Sequence, residues 1–310
     1  MTVVEHELTT PWEGVLMEPA AGNGTGVLVL AGSSGRVDRV RARLLAEQGF
    51  LALAIRWFGG PGQPPGICEL PLETFVAAVD LLRSRGADRV GILGWSKGAE
   101  AAMLTAIRDP RVDAVVALSP TSLVWCNVGP GLDGQNQPWR SSWTWQGQPV
   151  PFVPLAGDRW EPEGHGDGPV SILGWYELSE RTFPERLDAA AIPVEKMSAE
   201  LLLVAGGDDR MWPSLRYAEQ LAARRRAVGA QVRLVSRDDA GHRLRFPGEG
   251  PAAPSAVFDY GGTAHGESLL GEAAWAAMLD LLRPGAQLPL TEADFAATPL
   301  PVGPAHKSRR

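Results

Sequence analysis

Residues 91–100 read Gly-Ile-Leu-Gly-Trp-Ser-Lys-Gly-Ala-Glu, GILGWSKGAE. The apolar residues 90–93 end as a short buried strand would, and the alanine-rich residues 97–108 begin as a helix would. Between them, Gly94-Trp95-Ser96-Lys97-Gly98 is a G-x-S-x-G pattern at a strand-to-helix turn. Such a turn strains the serine backbone, and side chains at the flanking positions would strike the neighbouring strand and helix, so glycine is required there. The result is exposure. The hydroxyl stands at the carboxyl edge of the sheet, with the positive end of a helix aimed at the same place. The backbone N–H of Lys97 then faces the spot where an oxyanion would form.

Working outward from the turn, strands alternate with helices. Residues 3–8 and 14–17 suit an opening hairpin around Pro11, and 27–31 (VLVLA) is a continuous apolar run. A helix over 37–48 ends at Gly49, a strand follows at 51–55, and a Gly/Pro-rich loop at 59–66 leads to a helix over 72–84. Beyond 97–108 come strands at 114–118 and 201–205, a helix over 214–228, a strand at 232–235 and a last helix near 269–283. This alternation predicts an α/β fold, a mostly parallel doubly wound sheet with helices on both faces. Residues 1–285 read as one domain, and the Pro-rich residues 286–310 as a loosely held tail.

The 310 residues are 45% hydrophobic, enough for a large buried core, and the formal net charge of −7 argues against nucleic acid or an anionic membrane as partner. No apolar run approaches the roughly 18 residues of a transmembrane helix. The opening residues MTVVEHELTT lack the basic and apolar regions of a secretion signal, so a cytoplasmic protein is expected. Two cysteines, Cys68 and Cys126, cannot build a disulfide framework or a zinc site. The sequence leaves the oligomeric state open, a homodimer being one candidate.

A serine hydroxyl needs a base. In α/β-hydrolases the order along the chain is nucleophile, acid, histidine. The strand at 201–205 runs into Gly206-Gly207-Asp208-Asp209, and the strand at 232–235 leads to His242. Ser96, an aspartate at 208 or 209, and His242 therefore fall in that order at strand ends. One carboxylate of the pair can orient the imidazole while its neighbour caps the turn or the next helix; His265, just before the last helix, is the rival base. A second oxyanion donor would come from Gly32-Ser33-Ser34-Gly35, with the Ser33 N–H first and Ser34 next.

Between residues 120 and 197 the alternation stops, and six of the eleven tryptophans lie there. A structureless loop that long is uncommon inside a compact domain, so this stretch reads as a lid insertion. Trp125, Trp143 and Trp145 from it, with Trp95, Trp212 and Ser34, are candidate substrate-contacting residues. Asp158, Glu161, Glu163, His165 and Asp167 cluster in the lid as a solvated acidic loop rather than a metal site, because no regular spacing fixes them as ligands. Arg224-Arg225-Arg226 reads as the exposed side of its helix.

The segments GWSKGAE, GGDDRMWPS, AGHRLRFP and GGTAHGES, with lid segments WQGQPVPF and AIPVEK, resemble the C-terminal catalytic domain of the acyl-CoA thioesterase and bile acid-CoA:amino acid N-acyltransferase family, on the dienelactone-hydrolase-like side of the α/β-hydrolases. The resemblance spans about residues 3–283. It implies Ser96 as nucleophile, Asp209 as acid and His242 as base, an acyl thioester or ester as substrate, and no cofactor. Larger animal members carry an additional N-terminal β-sandwich domain; this sequence opens almost at the first strand of the catalytic domain, so that domain is expected to be missing. The family's amino-acid acyltransferases use cysteine where this chain has Ser96, so the resemblance implies water as the acceptor. Acyl transfer or cyclisation with another acceptor, and non-catalytic binding on the same fold, are the competing expectations.

Overall fold

The structure, a computed structural model, describes residues 2–157, 160–161, 168–283 and 285. The chain opens with β1 (Val3–Leu8) and β2 (Gly14–Pro19), paired antiparallel. Then come β3 (Thr25–Leu30), α1 (Arg39–Glu47), β4 (Leu51–Ile55), the two-residue β5 (Leu70–Pro71) and α2 (Glu73–Ser84). They are followed by β6 (Arg89–Trp95), α3 (Lys97–Arg108), β7 (Ala114–Leu118), β8 (Trp143–Trp145) and β9 (Gln148–Pro149). The remainder is α4 (Leu173–Thr182), α5 (Leu187–Ala190), β10 (Glu200–Gly206), α6 (Ser214–Ala227), β11 (Val232–Arg237) and α7 (Ala264–Leu282).

Eight strands form one sheet in the order β1-β2-β4-β3-β6-β7-β10-β11, antiparallel up to β4 and parallel from there on. This is the doubly wound sheet the alternation predicts. Strand side chains alternate between faces, so a strand covered on both sides must be apolar throughout. In β3, Leu28 and Leu30 join the core shared with α2, α3 and α6, while Val27 and Val29 join the core shared with α1 and α7. In β10, Leu201 and Leu203 take the first face and Leu202 and Val204 the second. The carboxyl ends of β6, β7, β10 and β11 consequently lie side by side along one edge.

Three local features differ from the reading of the sequence. Helix α7 starts at Ala264, not near 269, because Thr263 caps it: its Oγ1 accepts the Gly266 N–H at 2.9 Å. Arg225 is buried and donates to the carbonyls of Val194, Met197, Ala199 and Gln231. It follows Tyr217, Ala218, Leu221 and Ala222 at helical spacing on the inward face of α6, so only its neighbours Arg224 and Arg226 are exposed. Finally, the stretch between β7 and β10 is organised by a small three-stranded sheet, β5-β8-β9, and by a third core of Leu123, Trp125, Val153, Tyr176, Trp212 and Tyr217 among others. Asp158, Glu163, His165, Asp167 and the 286–310 tail lie outside the described residues. Among the described residues, no helix is long and apolar enough to cross a membrane.

Candidate active site

Ser96 stands between β6 and α3, as the helix N-cap residue, with φ 57° and ψ −120°. A non-glycine residue held there costs on the order of 1–3 kcal/mol, and the surrounding packing must impose it. The flanking glycines show how. A Cβ on Gly94 would sit 2.2 Å from the Gly98 carbonyl oxygen, and a Cβ on Gly98 would sit 2.5 Å from the Ala31 oxygen. β6, the first turn of α3 and the end of β3 are pressed together at backbone contact, and the serine is extruded between them. The Ser96 N–H donates to Leu118 O of β7 at 2.9 Å, which anchors the turn to the next strand.

His242 lies in the loop after β11 and is 2% exposed; Asp209, after β10, is 4% exposed. His242 Nδ1 donates to Asp209 Oδ2 at 2.7 Å. A carboxylate only accepts, so Nδ1 carries a proton in this pair, and in the neutral imidazole Nε2 is then the nitrogen with the free lone pair. Asp209 is fixed in turn, its Oδ1 accepting the N–H groups of Met211 at 2.8 Å and Trp212 at 3.3 Å. Asp208 takes a different part: Oδ2 accepts the Gly262 N–H at 2.8 Å and Oδ1 accepts Arg210 Nε at 3.2 Å. The geometry thus separates the two aspartates. His265 is exposed on the first turn of α7 and is not paired with either.

The imidazole is tied to the serine turn through its own backbone. Trp95 Nε1, one residue before Ser96, donates to His242 O at 3.0 Å, and Ser119 Oγ, at the end of β7, donates to the same oxygen at 2.8 Å. Three aromatic rings surround the imidazole, with centroids at 5.8 Å for Trp95, 5.6 Å for Trp212 and 6.0 Å for Tyr260. The Ser96 hydroxyl makes no hydrogen bond with a described residue, His242 included. Nucleophile–base contacts commonly tighten only when substrate is bound.

Ser33 and Ser34 are exposed in the loop after β3. That loop runs against the nucleophile: a Cβ on Gly32 would be 3.1 Å from Ser96 Cβ. At the other side, the Ser96 carbonyl accepts the N–H groups of Ala99 and Glu100, and the Lys97 N–H at the helix start has no backbone partner among the described residues.

The tryptophans divide. Trp95 and Trp212 flank His242. Trp145 is half-buried beneath Arg108, 5.8 Å from its ring centroid. Trp125 and Trp143 are 1% and 0% exposed, their indole N–H groups committed to Thr121 Oγ1 at 3.0 Å and Glu100 Oε1 at 2.7 Å. Both serve the core here rather than an open pocket wall. A cleft of about 640 Å³ lies instead among Trp12, Trp57, Cys68, Leu70, Leu132 and Arg140 and includes none of Ser96, Asp209 and His242. Its volume does not outweigh the convergence of side chains at the sheet edge.

Two features went unread in the sequence. Lys97 and Glu100 are both fully buried and paired at 2.7 Å. Burial pushes the Glu100 carboxyl above its ordinary range despite the ammonium beside it. The signal was available as a Lys–Glu pair at helical spacing inside an otherwise alanine-rich turn. Tyr260, stacked on His242 and covered by Arg243 at 4.3 Å, had no local signal at all. The nearby Cys126 thiol is pushed up to about 12 by burial and is no competing nucleophile.

Residues 70–284 match the family described as BAAT / acyl-CoA thioester hydrolase C terminal. The chain belongs to this family. Among curated proteins it is 27% identical to human acyl-coenzyme A thioesterase 1, over 75% of this chain and 52% of that protein. It is 25% identical to mouse mitochondrial acyl-coenzyme A thioesterase 2, over 75% of this chain and 48% of that one. It is also 29% identical to mouse bile acid-CoA:amino acid N-acyltransferase, over 75% and 52%. The chain spans about half the length of these relatives. Among solved structures, a puromycin-hydrolysing peptidase of Mycobacterium tuberculosis superposes with a TM-score of 0.54 at 14% identity, covering 92% of this chain and 40% of that one. A dienelactone-hydrolase-type protein of Klebsiella pneumoniae gives 0.51 at 14% identity, covering 91% and 99%. The fold is that of the α/β-hydrolases.

Proposed function

We propose that the protein hydrolyses a thioester or ester, acyl-CoA being the first class to test, through an acyl-enzyme on Ser96. The observation that supports this reading is the buried His242–Asp209 pair, whose His242 carbonyl is fastened by Trp95 to the strained turn that carries Ser96. His242 Nε2 takes the hydroxyl proton as Ser96 Oγ bonds to the acyl carbon. The N–H groups of Lys97 and Ser33 stabilise the oxyanion, the more so because a helix N-terminus backs one of them. The carbon–sulfur or carbon–oxygen bond then breaks, and the imidazolium, steadied by Asp209, returns its proton to the leaving thiolate or alkoxide. Water repeats the cycle and releases the acid. Trp95, Trp212 and Ser34 stand where substrate would pass. The segment from 120 to 197 acts as the cover, a role supported by the packing of its core on Trp212 beside His242.

The test is covalent. A fluorophosphonate should label Ser96 stoichiometrically, and Ser96→Ala should abolish labelling and turnover of acyl-CoA and p-nitrophenyl esters while melting like the wild type. A wild type that resists the reagent, or an alanine variant that still turns over, ends the reading. Product analysis with and without an amine acceptor separates hydrolysis from acyl transfer.

A further inference from the structure

Glu100 is a carboxylate with 0% exposure, and Lys97, its partner, has 1%. Burying such a pair is a poor way to gain stability, since desolvation offsets most of the attraction. Its position suggests another use. Glu100 Oε2 accepts Lys97 Nζ at 2.7 Å inside the first turn of α3, one residue beyond Ser96. Glu100 Oε1 accepts two donors from the segment between β7 and β10: the Trp125 N–H at 3.2 Å and Trp143 Nε1 at 2.7 Å. The ammonium also lies 5.4 Å from the Trp143 ring centroid. One buried carboxylate therefore clasps the nucleophile's helix and both arms of the insertion. From Trp125 a line of rings leads to the base: Trp125 to Tyr176 at 4.6 Å, Tyr176 to Trp212 at 5.4 Å, and Trp212 to His242 at 5.6 Å.

We propose that Glu100, neutralised by Lys97, is a positioning residue that sets the spacing between Ser96 and His242 by fastening the insertion to the elbow. The carboxylate grips the Ser96 side directly and the His242 side through Trp125, Tyr176 and Trp212. Lys97 supplies the countercharge at Oε2, while Oε1 accepts from both donors of the insertion. The proposal rests on the acyl-enzyme reading, and a misplacement near 1 Å at such a site costs about 100-fold in rate.

Two double variants separate fastening from charge. K97M/E100Q removes both charges but keeps a carbonyl that accepts from Trp125 and Trp143. K97M/E100L removes the acceptor as well. The expected result on an activated ester is a kcat loss of about 100-fold in K97M/E100L, with KM within about threefold and fluorophosphonate labelling slowed in parallel. K97M/E100Q should recover to within about tenfold of wild type. Near-UV circular dichroism and melting establish that both are folded. A folded K97M/E100L with wild-type kcat overturns the proposal, and so does an equal loss in both doubles, which would make charge rather than the clasp responsible. Should K97M/E100L not fold, Trp143→Phe decides. It removes one donor only and should lower kcat about 5- to 20-fold at unchanged KM; wild-type kcat there overturns the proposal too. The underlying reading is checked separately, because its failure would appear as a wild type that is not labelled at all.

Discussion

Gly94 and Gly98 stand four residues apart and press backbone on backbone; Glu100 and Trp143 stand 43 residues apart and share a hydrogen bond. The first contact belongs to the serine turn, the second to the segment between β7 and β10. In the turn, local sterics leave one conformation, and any side chain on the flanking glycines forbids it. In the insertion, short elements such as the three-residue β8 and the two-residue β9 hold no shape alone. Shape comes from tryptophans and from single polar anchors that reach back to the sheet. A catalytic edge can thus be written in contiguous residues, whereas its cover has to be written in distant pairs.

The largest effect expected is chemical. Asp209→Asn should lower kcat by about 10⁴-fold, since the amide no longer holds the Nδ1 tautomer, while Asp208→Asn should stay within about threefold. Steady-state kinetics on one activated ester measures both, and equal losses would dissolve the distinction drawn between the neighbours. Next comes sterics. Gly94→Ala should destabilise by upwards of about 4 kcal/mol in denaturant unfolding, or prevent soluble expression, because the Gly98 carbonyl cannot yield. Gly22→Ala, where a Cβ meets nothing within 4 Å, should fall within about 0.5 kcal/mol of wild type. A tolerated Gly94→Ala would show that the turn is not sterically determined.

The same contrast governs what could be read from the residues. The strands, their alternation and the G-x-S-x-G turn were legible because buried parallel strands and tight turns leave short contiguous signatures. Their ends were less so: α7 began earlier because Thr263 is a cap signal that outweighed the apolar pattern. The sequence marks Lys97 only for its backbone N–H and leaves Glu100 unmarked, since their pairing becomes visible only once Trp143 and Trp125 arrive from elsewhere. Trp125 and Trp143 read equally as pocket or as core, because composition does not distinguish an aromatic that fills a core from one that faces a ligand.

If the insertion is held by its aromatics, Trp125→Ala should cost about 3–5 kcal/mol, as for other fully buried large side chains. The expected sign of cooperativity is that Glu100 and Trp143 substitutions fall short of additivity in unfolding free energy, because each removes the hydrogen bond from Trp143 Nε1 to Glu100 Oε1. Strict additivity would mean that the carboxylate and the ring act separately.

The smallest effect lies where the two regions touch. Arg210 follows the candidate acid; its carbonyl accepts Ile172 N–H and Leu173 N–H of the insertion at 3.0 Å each. Its Nη1 donates to Asp259 Oδ2 at 2.6 Å, and Asp259 precedes the Tyr260 that stacks on His242. Burial works against the Asp259 charge, but the Gly261 N–H and the Arg210 guanidinium outweigh it and hold the carboxyl below the usual aspartate range. A carboxyl depressed in the folded state stabilises above its unfolded value, near pH 3.9, and loses that contribution as pH falls through the folded value. The pair is partly exposed, so its worth is under about 1 kcal/mol. Asp259→Asn should therefore be slightly less stable than wild type at pH 6, and the gap should close as pH falls below the unfolded value and the wild-type carboxyl protonates. Because every other group titrates in both proteins, the difference between two unfolding curves isolates this one contact. A gap that persists unchanged at the acid end would show that Asp259 holds the joint by shape, not by charge.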